Sequence, residues 1–139
     1  MRLAEIMQRS ELTEKAVRHY ENEGLIRPSR GNNGRRIYSS DDLSRLQFLA
    51  RARRLGFPLN DCRQLLELKS TQNWTADEVH AIAESHLEAL ERKMLDLKQM
   101  AQNLRTLIDT CPAGKGQKCK VMFALSDDES SPILEAKVP

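Results

Sequence analysis

Two cysteines late in the chain, Cys111 and Cys119, are separated by seven residues, Pro112-Ala113-Gly114-Lys115-Gly116-Gln117-Lys118, with no His, Asp or Glu among them. Two thiolates joined by such a loop make a sulfur-only site. Soft sulfur donors suit Cu(I), Ag(I) or Au(I) over Mg, Ca or Mn. A CxxC pair would leave zinc open, whereas this wider spacing, starting at a helix end, lets two sulfurs face each other across an ion. Two thiolates around a monovalent ion also leave one negative charge, which a helix N-terminus or a basic side chain must offset. The pair admits two other readings: unrelated surface thiols, or a redox- or electrophile-sensitive cysteine whose pKa Lys115 or Lys118 lowers. Cys62 differs, because it shares an apolar helical face with Leu65 and Leu66 and reads as a small buried hydrophobe.

The second cluster with chemical potential is basic. Arg27, Arg30, Arg35 and Arg36 surround Gly31-Asn32-Asn33-Gly34, a composition that predicts a hairpin. A two-stranded wing that offers arginines to a phosphate backbone uses all four, whereas a solvated turn has no use for them. Just upstream, Leu3, Ile6 and Met7 mark a short amphipathic helix, and Thr13 can cap a second one that carries Lys15, Arg18, His19 and Tyr20 before Gly24 ends it. Two short helices joined by a tight turn predict a helix-turn-helix.

Other elements must hold these clusters. Ser40-Asp41-Asp42 is placed to cap a third helix that runs to Leu55 and stops at Gly56 and Pro58, and a fourth follows over about 59–69. Thr75 or Asp77 can cap the next helix. From Ala83 its small or apolar positions run Leu87, Leu90, Met94, Leu97, Ala101, Leu104 and Ile108 in alternating steps of four and three, with no Gly or Pro between Ala76 and Pro112. At ~1.5 Å per residue this helix spans about 50 Å. So long a stripe cannot be buried on so small a head and needs a partner, most simply a second copy of itself, since the chain has no second long helix to fold back on. The predicted molecule is mainly α. A winged helix-turn-helix head with a small β-hairpin wing occupies 1–70, and a dimerisation helix in an antiparallel coiled coil occupies 75–110. A metal-binding loop and short terminal element occupy 111–125, and a polar tail, expected to be disordered, occupies 126–139.

Charge follows this division. Residues 1–70 carry 14 Lys and Arg against 9 Asp and Glu, whereas 71–139 carry 8 against 11, as suits a nucleic-acid module joined to something else. No run of eighteen apolar residues and no apolar leader is present, so a cytoplasmic protein with reduced cysteines and no membrane contact is expected.

Thr13-Glu14-Lys15-Ala16-Val17-Arg18-His19-Tyr20-Glu21, Gly24-Leu25-Ile26-Arg27-Pro28 and Gly34-Arg35-Arg36-Ile37-Tyr38 resemble the signature of the MerR family. So do Asp42-Leu43, Leu46, Ala52-Arg53-Arg54-Leu55-Gly56-Phe57 and Leu65-Leu66. The resemblance covers residues 1 to about 119, with Arg35 standing where the family usually has Tyr. It implies a homodimer on double-stranded promoter DNA that distorts the duplex when its effector arrives, so that RNA polymerase aligns with both promoter elements. Lys15, Arg18, His19, Tyr20, Arg35, Arg36 and Tyr38 are the DNA-binding residues it implies.

The spacing of Cys111 and Cys119 resembles the copper-efflux (CueR-like) subgroup, which implies Cu(I), Ag(I) or Au(I) as effector at these two residues. Lys120 stands where that subgroup usually has Pro. Divalent-sensing relatives bring a further cysteine from the start of the partner's long helix, where this chain has Thr75-Ala76-Asp77-Glu78, and iron–sulfur relatives need four clustered cysteines. By the same analogy His80 is a counter-charge or a third ligand, against the commoner outcome of an exposed helical histidine, while His86, one residue before Leu87, is expected in solvent or at the seam's edge. The sequence offers no glycine-rich phosphate loop, nucleophile–base pair or carboxylate cluster, so no enzyme is expected. A constitutive DNA-architectural dimer is the rival from another class.

Overall fold

A computed structural model of the chain describes residues 1–111 and 119–126. Its elements are α1 (Leu3–Ser10), α2 (Glu14–Asn22), β1 (Ser29–Arg30), β2 (Arg36–Ile37), α3 (Ser40–Arg54), α4 (Leu59–Thr71), α5 (Ala76–Asp109) and α6 (Lys120–Leu125). Residues 112–118 and 127–139, which include Lys115, Lys118 and most of the predicted loop and tail, lie outside the described residues.

Local chemistry sets most of the boundaries. Thr13 caps α2, its hydroxyl accepting from the Ala16 amide at 3.1 Å. α3 begins one residue earlier than its sequence suggests, because Ser39 is the cap. The Asp42 amide donates to Ser39 Oγ at 3.0 Å and the Ser39 amide donates back to the Asp42 carboxylate at 2.9 Å. The same carboxylate accepts from the Arg27 amide at 3.4 Å, which ties the approach to the wing onto α3. Thr75 is the cap of α5, in a reciprocal pair with Glu78. The hairpin is antiparallel with Ser29 opposite Ile37 and Arg30 opposite Arg36. Gly34, at φ +77°, takes the left-handed turn conformation that a side chain resists.

The chain divides into two compact units, Met1–Ala83 and Glu84–Pro139, with the boundary inside α5. In the first unit, Ile6 of α1, Val17 and Tyr20 of α2, Leu25, Ile26 and Tyr38 around the wing, Leu46 and Leu49 of α3, and Cys62 and Leu66 of α4 form one core. The Cys62 thiol is fully buried, as the sequence predicts, and donates to the Phe57 carbonyl at 3.6 Å.

The second unit contains most of α5, and there most of the heptad seam is bare: Leu87, Met94, Leu97, Leu104 and Ile108 are exposed large apolar residues, and Leu90 is half-buried. His86, expected in solvent or at the seam's edge, is buried, at 8% exposed. Met100, Asn103 and Leu107, each also one residue before a seam position, are half-buried. This flanking stripe is covered at its two ends and exposed at Lys93 and Asp96, and most of the seam is apolar surface left in solvent.

Candidate nucleic-acid interface and candidate metal centre

Lys15, Arg18 and His19 are exposed on α2, with Arg18 Nε 3.6 Å from the Glu14 carboxylate one turn earlier. At the wing tip, Gly34 donates to the Gly31 carbonyl, Gly31 donates to the Arg35 carbonyl at 2.8 Å, and the Arg30 guanidinium donates to the Gly34 carbonyl at 2.8 Å. These bonds stiffen a turn that would otherwise lose entropy on binding. Arg35 is exposed at this tip. Arg36 is half-buried, and its Nε donates to Glu21 of α2 at 2.7 Å, a contact that raises its pKa further above the ordinary arginine value. That pair fastens β2 to α2. Arg2, Arg18, Arg30, Arg35 and Arg36 line one concavity of about 520 Å³ between the start of α1, α2 and the wing.

Two residues expected at the DNA surface lie elsewhere. Tyr38 is 1% exposed, and its ring belongs to the core. Side chains alternate along a strand, so the exposed Ile37 puts the following residue inward. Tyr38 also exchanges two backbone bonds with Met1, each 2.7 Å, and so fixes the start of the chain against the wing. Tyr20 is 6% exposed. Burial raises the pKa of its phenol, while the nearby Arg53 guanidinium acts in the opposite sense. Sequence reasoning missed Arg2. Its only local signal is that it precedes the first apolar residue of α1, and its place beside the wing depends on the Met1–Tyr38 pairing.

Cys111 and Cys119 are half-buried, and the structure brings them together. Their side chains hydrogen-bond, and this contact is the largest of the influences that hold the Cys119 thiol below the ordinary cysteine value. The Val121 and Met122 amides, at the start of α6, act in the same direction. Cys119 stands at the N-cap position of that helix, so the first turn supplies the positive dipole end that a thiolate needs. Among the described residues no group of three or more His, Cys, Asp or Glu is placed to hold a metal ion. His80 is exposed on α5. No helix among the described residues is long and apolar enough to cross a membrane.

Two family models match the chain: "MerR HTH family regulatory protein" over residues 1–69 and "MerR, DNA binding" over residues 43–107. The HTH-type transcriptional regulator HmrR of Rhizobium leguminosarum bv. viciae is 39% identical over 127 residues, spanning 91% of this chain and 98% of the relative. The regulator CueR of Vibrio cholerae is 34% identical over 126 residues, spanning 90% and 91%. Among solved structures, the transcription regulator PbrR691 of Ralstonia metallidurans CH34, in complex with lead(II), superposes with a TM-score of 0.78. It is 31% identical and covers 91% of this chain and 99% of that one.

Proposed function

The chain belongs to the MerR family of transcriptional regulators, which are not enzymes and which bind promoter DNA as dimers, and on that premise we propose that its effector is a monovalent soft metal ion. The coarser function, a metal-responsive regulator, is supported by relatives named as heavy metal-dependent regulators and by the lead(II)-bound structure. Cu(I), with Ag(I) and Au(I) as congeners, binds between Cys111 and Cys119. The dimer then distorts the promoter so that RNA polymerase can use it. The observation that carries this proposal is the meeting of the two thiols, in which Cys111 and then the neighbouring N–H groups of α6 hold the Cys119 thiol below the ordinary cysteine value. Two thiolates without oxygen donors favour a soft ion of low charge. Lys15, Arg18, His19, Arg35 and Arg36 serve the DNA, with Arg36 held in place by Glu21. A cytoplasmic location accords with promoter binding.

A divalent soft ion is the second reading, and the likeness to a lead(II)-bound regulator favours it. It would need a further donor, and the start of α5, Thr75-Ala76-Asp77-Glu78, offers no sulfur. Run-off transcription from the regulated promoter, with reduced protein and Cu(I), Ag(I), Pb(II), Hg(II) or Zn(II) supplied in turn, separates the two. Activation by Cu(I) and Ag(I) alone is expected. A response to Pb(II) or Hg(II) without Cu(I) would replace the proposed ion, and no response to any metal would favour a constitutive architectural dimer.

A further inference from the structure

We infer that Arg2 is a further DNA-contacting residue, which shares with the wing a seat for one backbone phosphate of the duplex. This rests on the promoter-binding reading and extends it to a residue ahead of α1 that is not among the DNA-binding residues the family resemblance implies.

The concavity between the start of α1, α2 and the wing tip is lined by five arginines, largely through their aliphatic stems, so that their charged heads lie around it. Two are already engaged with carboxylates: Arg36 with Glu21 at 2.7 Å and Arg18 with Glu14 at 3.6 Å. Arg30 spends one N–H on the Gly34 carbonyl, a contact that leaves its charge uncompensated. Arg2 and Arg35 are exposed, and neither is in a salt bridge among the described residues. The hollow therefore carries an excess of about three positive charges against its paired carboxylates. A phosphodiester is the anion that a helix-turn-helix protein meets at this face, and guanidinium forks match its oxygens in bidentate fashion.

Arg2 is also held in position. Its neighbour Met1 exchanges two 2.7 Å backbone bonds with Tyr38 at the end of the wing. On the other side Leu3 opens α1 and packs against the core. A long, free side chain on a backbone fixed at both sides loses less entropy on capturing a phosphate than one on a loose terminus.

The test measures binding of the full-length dimer to a mixed-sequence duplex by fluorescence anisotropy, in phosphate-free buffer, over a series of salt concentrations. Each lost phosphate contact removes ~0.9 from the slope of log affinity against log salt. With one Arg2 in each protomer, Arg2→Gln should flatten the slope by about 1.8 and weaken binding at least about tenfold. Arg2→Lys, which keeps the charge, should restore most of the slope. Arg105→Gln, which removes a charge from α5 outside this hollow, should leave the slope unchanged.

If Arg2→Gln matches wild type, the inference fails while promoter binding stands. An equal loss with Arg105→Gln would reduce the effect to net charge, and an equal loss with Arg2→Lys would make Arg2 a structural residue; either overturns it. If the wild-type dimer shows no salt-dependent binding, the promoter-binding reading falls and the inference with it.

Discussion

Cys62, Cys111 and Cys119 share a side chain and differ in what surrounds the sulfur, and that difference sorts their roles. Cys62 lies in the core, where burial raises its pKa and leaves a poor nucleophile. Cys119 meets Cys111 and the first amides of α6, which lower its pKa. Cys111→Ser and Cys119→Ser should therefore each abolish the metal response in a run-off assay while DNA binding persists. Cys62→Ser should keep the response and lose about 1–3 kcal/mol of stability, the cost of a hydroxyl among apolar neighbours; retention of the metal response by Cys119→Ser would place the sensor elsewhere. Because Cys111 is the main cause of the lowered thiol, Cys111→Ala should also shift the pH midpoint of Cys119 alkylation upward. That Cys111 and Cys119 could meet was legible in the sequence because it depends on residue type and short spacing. The burial of Tyr38 and the Arg36–Glu21 pair were not, since each depends on partners brought together only when the wing docks on α2 and the core.

At the scale of elements, the short wing depends on what anchors it. Asp42 joins the Ser39 cap of α3 to the Arg27 amide ahead of β1, so one carboxylate serves a helix end and the base of the hairpin. Asp42→Ala should cost about 1–3 kcal/mol, read as a lower urea midpoint at unchanged slope. An effect below about 0.5 kcal/mol would show that the box is dispensable, within the range of ordinary surface substitutions. The core that joins α2, the wing and α4 buries three acids, Tyr20, Tyr38 and Cys62, and burial raises the pKa of each from ordinary values of 10.0, 10.0 and 9.0. A raised value means that the folded state holds its proton more tightly. The associated stability is complete below the unfolded pKa and is lost as pH rises through the folded one. Thermal unfolding should thus be insensitive to these groups up to about pH 9 and fall increasingly above it; a midpoint that rises between pH 9 and 11 would contradict this sign. Helix caps and heptads were readable because they act over three or four residues. The cap of α3 was misplaced by one because Ser39 and Ser40 are equivalent until Asp42 reaches back.

For the molecule as a whole, the question is what covers α5. On its flanking stripe His86, Met100, Asn103 and Leu107 are buried or half-buried within one chain while Lys93 and Asp96 are exposed, and on the seam Met94 and Leu97 are 68% and 61% exposed. Apolar area left in water costs roughly 25 cal/mol per Å², and a seam with heptad spacing is the surface that a second copy of the same helix fits. The basic head and the seam thus divide the work. One protomer presents a single wing and recognition helix, and if the dimer pairs through α5, as its seam suggests, that pairing supplies the second set that a two-fold-related DNA site requires. Leu97→Asp places a carboxylate in the middle of the paired seam, where desolvation without a counter-charge costs on the order of several kcal/mol in each protomer. The dimer should then dissociate at micromolar concentration in sedimentation velocity, and DNA affinity should fall with it, since each half-site is left to bind alone. Leu95 is as exposed as its neighbours, at 67%, but stands one residue past Met94 and off the heptad positions. Leu95→Asp should therefore remain dimeric and bind DNA as wild type does. If both variants dissociate, the interface is broader than the heptad seam. If Leu97→Asp still sediments as a dimer, α5 pairs through another face.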